Sequence, residues 1–148
     1  MKILLCVLIC VPAMALPWME TSAAEPATNV QPAKPAGPAV KRGVVRKVDV
    51  DEFEKLWQDK KNVVLDVRTK KEFDAGHIPG ARNLDVNAPD FEQNISALDK
   101  TTVYLVHCAA GARSARACDK MSGLGFKRLV DLAPGVKAWE KAGRKVEK

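Results

Sequence analysis

Two short apolar runs, VVLDV at 63–67 and TTVYLV at 101–106, constrain this chain more than any other feature. Each is continuous rather than alternating, as a strand covered on both faces must be, and each is short for a helix. Segments with helical spacing separate them. DVDEFEKLWQDK (49–60) puts Phe53, Leu56 and Trp57 on one face behind an acidic start, and PDFEQNISALD (89–99) repeats the spacing with Phe91, Ile95 and Leu98. RSARACDKMSGLG (113–125) reads as a helix with a glycine stop, and GVKAWEKAG (135–143) as a last helix. VVRKV (44–48), HIPGARNLDV (77–86) and KRLVDL (127–132) supply further strands, and Thr69 opens T-K-K-E, a capping box for a short helix ending at Gly76. Strand and helix units repeated at this size predict an α/β domain: a parallel sheet with helices on both faces and a ligand site at the carboxyl ends of its strands.

Residues 1–43 stand apart from this pattern. Lys2 precedes the apolar stretch ILLCVLICVPAMA, and small residues follow, which predicts a signal peptide over 1–24 cut after Ala24, with Ala15 as the competing site and retention as an anchor as the alternative. The stretch falls short of the roughly 20 residues that span a bilayer, and Pro12 interrupts it. Leu5 and Ile9, which precede Cys6 and Cys10, are not the small residues a lipoprotein signal needs. Residues 25–43 are rich in Pro and Ala, cannot bury a core, and read as a semi-rigid linker of roughly 50 Å at most. The single domain is then 44–148, and the expected location is exported, periplasmic or secreted.

Loss of the signal peptide removes two of the four cysteines and leaves Cys108 and Cys118. An oxidising compartment permits a disulfide, but a cysteine ending a strand and another more than a turn into the next helix are too far apart to bridge. Neither cysteine has the paired Cys/His spacing of a zinc site, so no metal and no cofactor are expected. The net charge of +6 is spread through Lys/Glu mixtures without a basic block interleaved with aromatics. That excludes nucleic acid as the expected partner and modestly favours small anionic substrates; a monomer is expected.

The strongest candidate site is HCAAGARS, His107 to Ser114, directly after TTVYLV. The strand delivers Cys108 to the sheet's edge, Gly111 lets the chain turn back, Ala109, Ala110 and Ala112 keep the loop's interior clear, and Arg113-Ser114 opens a helix. Successive backbone N–H groups in such a loop converge on one centre and, with the helix N-terminus, hold an anion. A thiolate is such an anion, and the field that holds it lowers its pKa.

At these residues the sequence resembles the rhodanese family. DVRTKKEFDAGHIPGARNL (66–84) is similar to the family's D-x-R…E-F…G-H-I-x-G-A-x-N segment, HCAAGARS to its cysteine loop, and LAPGVKAWEKAG (132–143) to its closing G-G-x-x-x-W segment. Pro134 stands where the family usually has the first glycine of that pair, which puts the local turn in question. The resemblance implies a five-stranded parallel sheet and a thiosulfate sulfurtransferase. Cys108 would take sulfur from a thiosulfate-like donor, hold it as a persulfide cradled by the N–H groups from Ala109 to Ser114, and pass it to cyanide or a thiol. Arg113 would hold the anionic donor at the mouth, and Ser114 would lend its hydroxyl or cap the helix.

His107-Cys108 is also similar to the H-C-x5-R signature of protein phosphatases, some of which share this fold. Here four residues separate Cys108 from Arg113, one fewer. The narrower cradle suits a persulfide sulfur better than phosphate or arsenate, leaving a phosphatase or arsenate-reductase activity as the minor alternative. A persulfide carrier serving a protein acceptor, and a binding domain without chemistry, are the readings from other classes. Among the neighbours, Arg68 is expected in an ion pair with Asp66 or Glu72 rather than facing substrate, and His77 in a structural hydrogen bond. His107 is expected to turn away from the side Cys108 faces. Cys118, Trp57 and Trp139 read as packed residues and Asp119 as a solvated one.

Overall fold

A computed structural model describes residues 42–148. The expected signal peptide, and the linker as far as residue 41, lie outside the described residues. Within them the strands are β1 (Val44–Val48), β2 (Val63–Asp66), β3 (Arg82–Asn83), β4 (Val103–His107) and β5 (Arg128–Leu132). The helices are α1 (Val50–Trp57), α2 (Lys70–Ala75), α3 (Phe91–Ser96), α4 (Ala112–Gly123) and α5 (Gly135–Lys141). The strands form one sheet in the order β1-β5-β4-β2-β3, every pair parallel.

Strand alternation sorts the core into two layers, which is why the two central runs are apolar throughout. On one face Leu65, Tyr104, Val106 and Leu129 pack with Phe91 and Ile95 of α3 and with Ala117, Cys118 and Met121 of α4. On the other, Val64, Leu105, Val130 and Leu132 pack with Phe53 of α1 and with Val136 and Trp139 of α5. Trp139 is fully buried, edge-on to Phe53 and Trp57 at centroid distances of 6.0 and 5.8 Å. Helices on both faces follow from this division, as the sequence predicts.

Local signals set the helix starts. Asp49 caps α1, accepting from the Glu52 N–H at 2.9 Å, and the Thr69 capping box closes in both directions with Glu72. Several elements are shorter than their sequence patterns, β3 and α3 for visible reasons. β3 stops at Asn83, whose side-chain amide donates to the carbonyls of Asp66 and Arg68 at 3.1 and 2.8 Å and holds the chain against β2. α3 stops at Ser96, whose hydroxyl bonds back to the Glu92 carbonyl at 2.6 Å, a bond that competes with helix continuation.

Candidate active site

The last residue of β4 and the one after it send their side chains to opposite layers. His107 turns toward α1, edge-on to Phe53 at 6.4 Å, and Cys108 turns into the layer under α3 and α4. After Cys108 the chain folds against the turn that opens α5. The Cys108 and Ala109 carbonyls accept from the N–H groups of Val136 and Lys137 at 2.8 and 3.2 Å. With those carbonyls engaged by α5, the N–H groups that follow converge on the sulfur. Gly111 donates to Cys108 Sγ at 3.1 Å, and the nearby N–H groups of Ala110 and Ser114 add to the field that favours its thiolate.

Two glycines allow this backbone-to-backbone packing. Gly111, at φ +93°, is the N-cap of α4, and a Cβ there would lie 2.0 Å from the Ala133 carbonyl oxygen. Gly135, at φ +71°, leaves no more room: its Cβ would lie 2.5 Å from the Ala109 carbonyl and the Ala110 nitrogen. Pro134 keeps the turn intact, because its φ of −80° suits proline and the close approach falls on Gly135.

Cys108 is 1% exposed, and burial alone would raise its pKa. The Ser114 N–H, the Ser114 hydroxyl and the Ala110 and Gly111 N–H groups outweigh burial and hold it below the usual thiol value. A nucleophile this enclosed admits the terminal atom of a donor more readily than a crowded tetrahedral centre.

The structure revises the role read for Arg113. Both terminal nitrogens of its guanidinium bind Glu72, each at 2.7 Å, in a bidentate pair. Arg113 pulls the Glu72 carboxyl down to about 2; partial burial opposes this, and Thr69 assists it. What stands at the mouth is therefore an ion pair rather than a free cation. The start of α4 also differs. The helix opens at Ala112, one residue before the expected start, and Ser114 lies inside it rather than capping it. There Ser114 heads the buried stripe of α4, followed by Ala117, Cys118, Met121 and Ser122, and its hydroxyl donates to the Gly111 carbonyl at 2.9 Å.

Arg68 faces the fold. Its guanidinium grips the fully buried Asp66 at 2.6–3.0 Å and the Gly76 carbonyl at 2.7 Å. His77 stacks on Phe73 with its Nδ1 3.0 Å from the Phe73 carbonyl. Cys118 and Cys108 are both free, and burial, then Asp131, then Cys108 push the Cys118 thiol up, so it stays protonated. Asp119 pairs with Arg42 at the exposed surface.

His107 is fully buried, with no hydrogen-bond partner on either ring nitrogen among the described residues, and burial lowers its pKa to about 4 from 6.5. The folded state thus keeps it neutral while the unfolded chain protonates it below pH 6.5. Stability is expected to fall by about 3 kcal/mol as the pH drops from 6.5 to 4. Denaturation midpoints across that range check this: His107→Leu should remove most of the loss, and an unchanged slope in the variant would refute the assignment.

Two contributors to the site were not singled out as such in the sequence. Glu72 is doubly used, by the Thr69 cap and by Arg113, and only its capping role is visible locally. Gly135 sits in a motif, but its contact with Ala109 is not readable from spacing.

Comparison with known proteins places this geometry among relatives. Residues 49–142 match the Rhodanese-like domain family. A protein named Sulfurtransferase from Allochromatium vinosum is 30% identical over 101 residues, covering 68% of this chain and 92% of that one. The putative sulfur carrier protein YrkF of Bacillus subtilis is 29% identical over 86 residues, or 58% of this chain, and the match spans only 45% of that protein. Among solved structures, a rhodanese-related protein from Thermoplasma volcanium superposes with a TM-score of 0.60 at 27% identity, covering 69% of this chain and 97% of that one. A rhodanese-like domain protein from Staphylococcus aureus gives 0.59 at 28% identity, with 70% and 99% covered.

Proposed function

The chain belongs to the rhodanese-like family, and from that premise we propose that it is a sulfurtransferase carrying sulfane sulfur as a persulfide on Cys108. The observation that carries this reading is the Gly111 N–H donating to Cys108 Sγ at 3.1 Å inside a loop of small side chains whose backbone favours the thiolate. Sulfur carriers and sulfurtransferases among the relatives support it.

In the first half-reaction the Cys108 thiolate attacks the outer sulfur of thiosulfate or a related donor. The donor's S–S bond breaks, and sulfite leaves with the bonding pair. The new terminal sulfur keeps a negative charge, which the loop's N–H groups stabilise as they did the thiolate. In the second half-reaction cyanide or a thiolate acceptor attacks that terminal sulfur, and Cys108 leaves as the thiolate, completing a ping-pong cycle. The acceptor in the cell is either a small thiol or a protein, and an exported location suits both.

Arsenate chemistry at the same thiol is the second reading. One observation favours it: 34% identity over 89 residues to Protein HIGH ARSENIC CONTENT 1 of Arabidopsis thaliana, 53% of each chain being covered.

Intact mass spectrometry tests the proposal. After thiosulfate the protein is expected to gain one sulfur, located on the Cys108 peptide, and cyanide should remove it with release of thiocyanate. Cys108→Ala should gain none. Absence of the gain in the unaltered protein overturns sulfur transfer, and arsenate reduction lost in Cys108→Ala would establish the second reading instead.

A further inference from the structure

Between His107 and Ser114 the one charged side chain is Arg113, since His107 is buried against Phe53 and stays neutral. That charge is already matched. Both terminal nitrogens bond to Glu72 at 2.7 Å, and both side chains are partly exposed, so the pair meets a donor arriving from solvent. Glu72 is not free to swing away. Its Oε2 also accepts from the Thr69 hydroxyl at 2.8 Å and from the Thr69 N–H at 3.2 Å, within the capping box that starts α2. Releasing Arg113 by moving Glu72 would therefore break a helix cap as well as an ion pair. Arg113 in turn holds the Glu72 carboxyl down to about 2, which keeps it charged wherever the thiol works. Asp85 is a second carboxylate whose field reaches Arg113.

The two ends of a donor thus meet different electrostatics. The sulfur to be transferred enters the cradle, where the Gly111 N–H and the start of α4 favour one negative charge. The rest of the donor stays behind it at the mouth. In thiosulfate that part is a sulfonate with a second negative charge, and it meets a cation whose terminal nitrogens already face a carboxylate. Its net attraction to the pair is small. A donor with the same outer sulfur and no charge behind it forgoes nothing at the mouth.

We propose that Glu72 sets the choice of donor by neutralising Arg113, so that the site disfavours dianionic thiosulfate and takes a donor with one negative charge, borne by the sulfur transferred. This rests on the sulfur-transfer reading and narrows its donor class, of which an organic thiosulfonate, R–SO2–S−, is the plainest case. The Cys108 thiolate bonds to the outer sulfur, the donor's S–S bond breaks, and the sulfinate leaves with the bonding pair. One negative charge then stays on the new persulfide and one departs, with no proton or further reactant needed. Glu72 acts through Arg113 and touches no donor atom, so it is a positioning residue.

A double-variant cycle tests this with probes that differ by a single charge: thiosulfate against methanethiosulfonate for sulfur loading, and iodoacetate against iodoacetamide for alkylation of Cys108. Each pair is read as a ratio of rates, the more anionic probe over the other, at low ionic strength, so that any change in thiol ionisation cancels. Glu72→Gln keeps a residue that can complete the capping box, and it should raise both ratios at least about threefold, as loss of one nearby charge in a wet site requires. Arg113→Gln should lower both by a similar factor. The two substitutions together restore the charge balance and should return both ratios to within about twofold of the unaltered protein. A merely structural role would move the single variants in the same direction and leave the double variant unrecovered. Unmoved ratios in Glu72→Gln, or a shift that persists in the double variant, would overturn the proposal. Failure of both donors to load sulfur, with the alkylation ratios following the cycle, would overturn the sulfur-transfer reading alone.

Discussion

Gly135→Ala should load sulfur at least about 100-fold more slowly than the unaltered protein, although Gly135 bears no reactive group. The added Cβ has no free volume: it would meet the Ala109 carbonyl and the Ala110 nitrogen at 2.5 Å, and both are backbone atoms. The loop must therefore move away from α5. That movement stretches the bonds from Val136 and Lys137 to the Cys108 and Ala109 carbonyls, which orient the peptide units feeding N–H groups to the sulfur. The thiol pKa should rise with the loss of those donors, shifting the pH profile of iodoacetamide alkylation upward. The strained φ of +71° adds a stability cost of about 1–3 kcal/mol. Single-turnover loading by thiosulfate, measured where near-ultraviolet circular dichroism shows the core intact, checks the claim. Loading at the unaltered rate would mean that the turn before α5 does not shape the cradle.

Arg68→Ala should destabilise the domain by about 3–5 kcal/mol, because it strands the fully buried Asp66 carboxylate without its cation. Three guanidinium contacts to Asp66 and one to the Gly76 carbonyl disappear together. Asp66→Asn combined with Arg68→Met should recover much of the loss, since the cost lies in the uncompensated charge and not in missing volume. Denaturant midpoints of the single and double variants decide it. A loss below about 1 kcal/mol in Arg68→Ala would show that the pair behaves as an exposed ion pair does. The effect should reach the site. Asp66 is the register partner of His107, and the Val67 N–H donates to the His107 carbonyl at 3.0 Å, so this cluster braces the end of β4 from the face opposite Cys108.

What was legible in the sequence was local or periodic. The Thr69 box needs residues three apart, and the continuous runs in β2 and β4 state their double coverage directly. The same alternation separates His107 from Cys108. The cysteine loop belongs to this class: its strand, small residues and helix start are consecutive. Arg113 shows where such reading stops. Its place in the motif indicates a cation at the mouth, but its partner Glu72 lies 41 residues away and is already committed to a helix cap. No spacing rule connects the two.

The sequence by itself determined the layer plan and the nucleophile's position, because strand and helix periods act on neighbouring residues whatever the rest of the chain does. Tertiary structure decided the chemistry around the sulfur. The parallel order β5-β4-β2 brings the turn before α5 against the loop after β4, so that Gly135 touches Ala109 and α5 takes up the loop's carbonyls. The charge state of Cys108 depends on those non-local approaches. Electrostatic influence falls with distance in space and not along the chain, so it becomes readable only once the strands have paired.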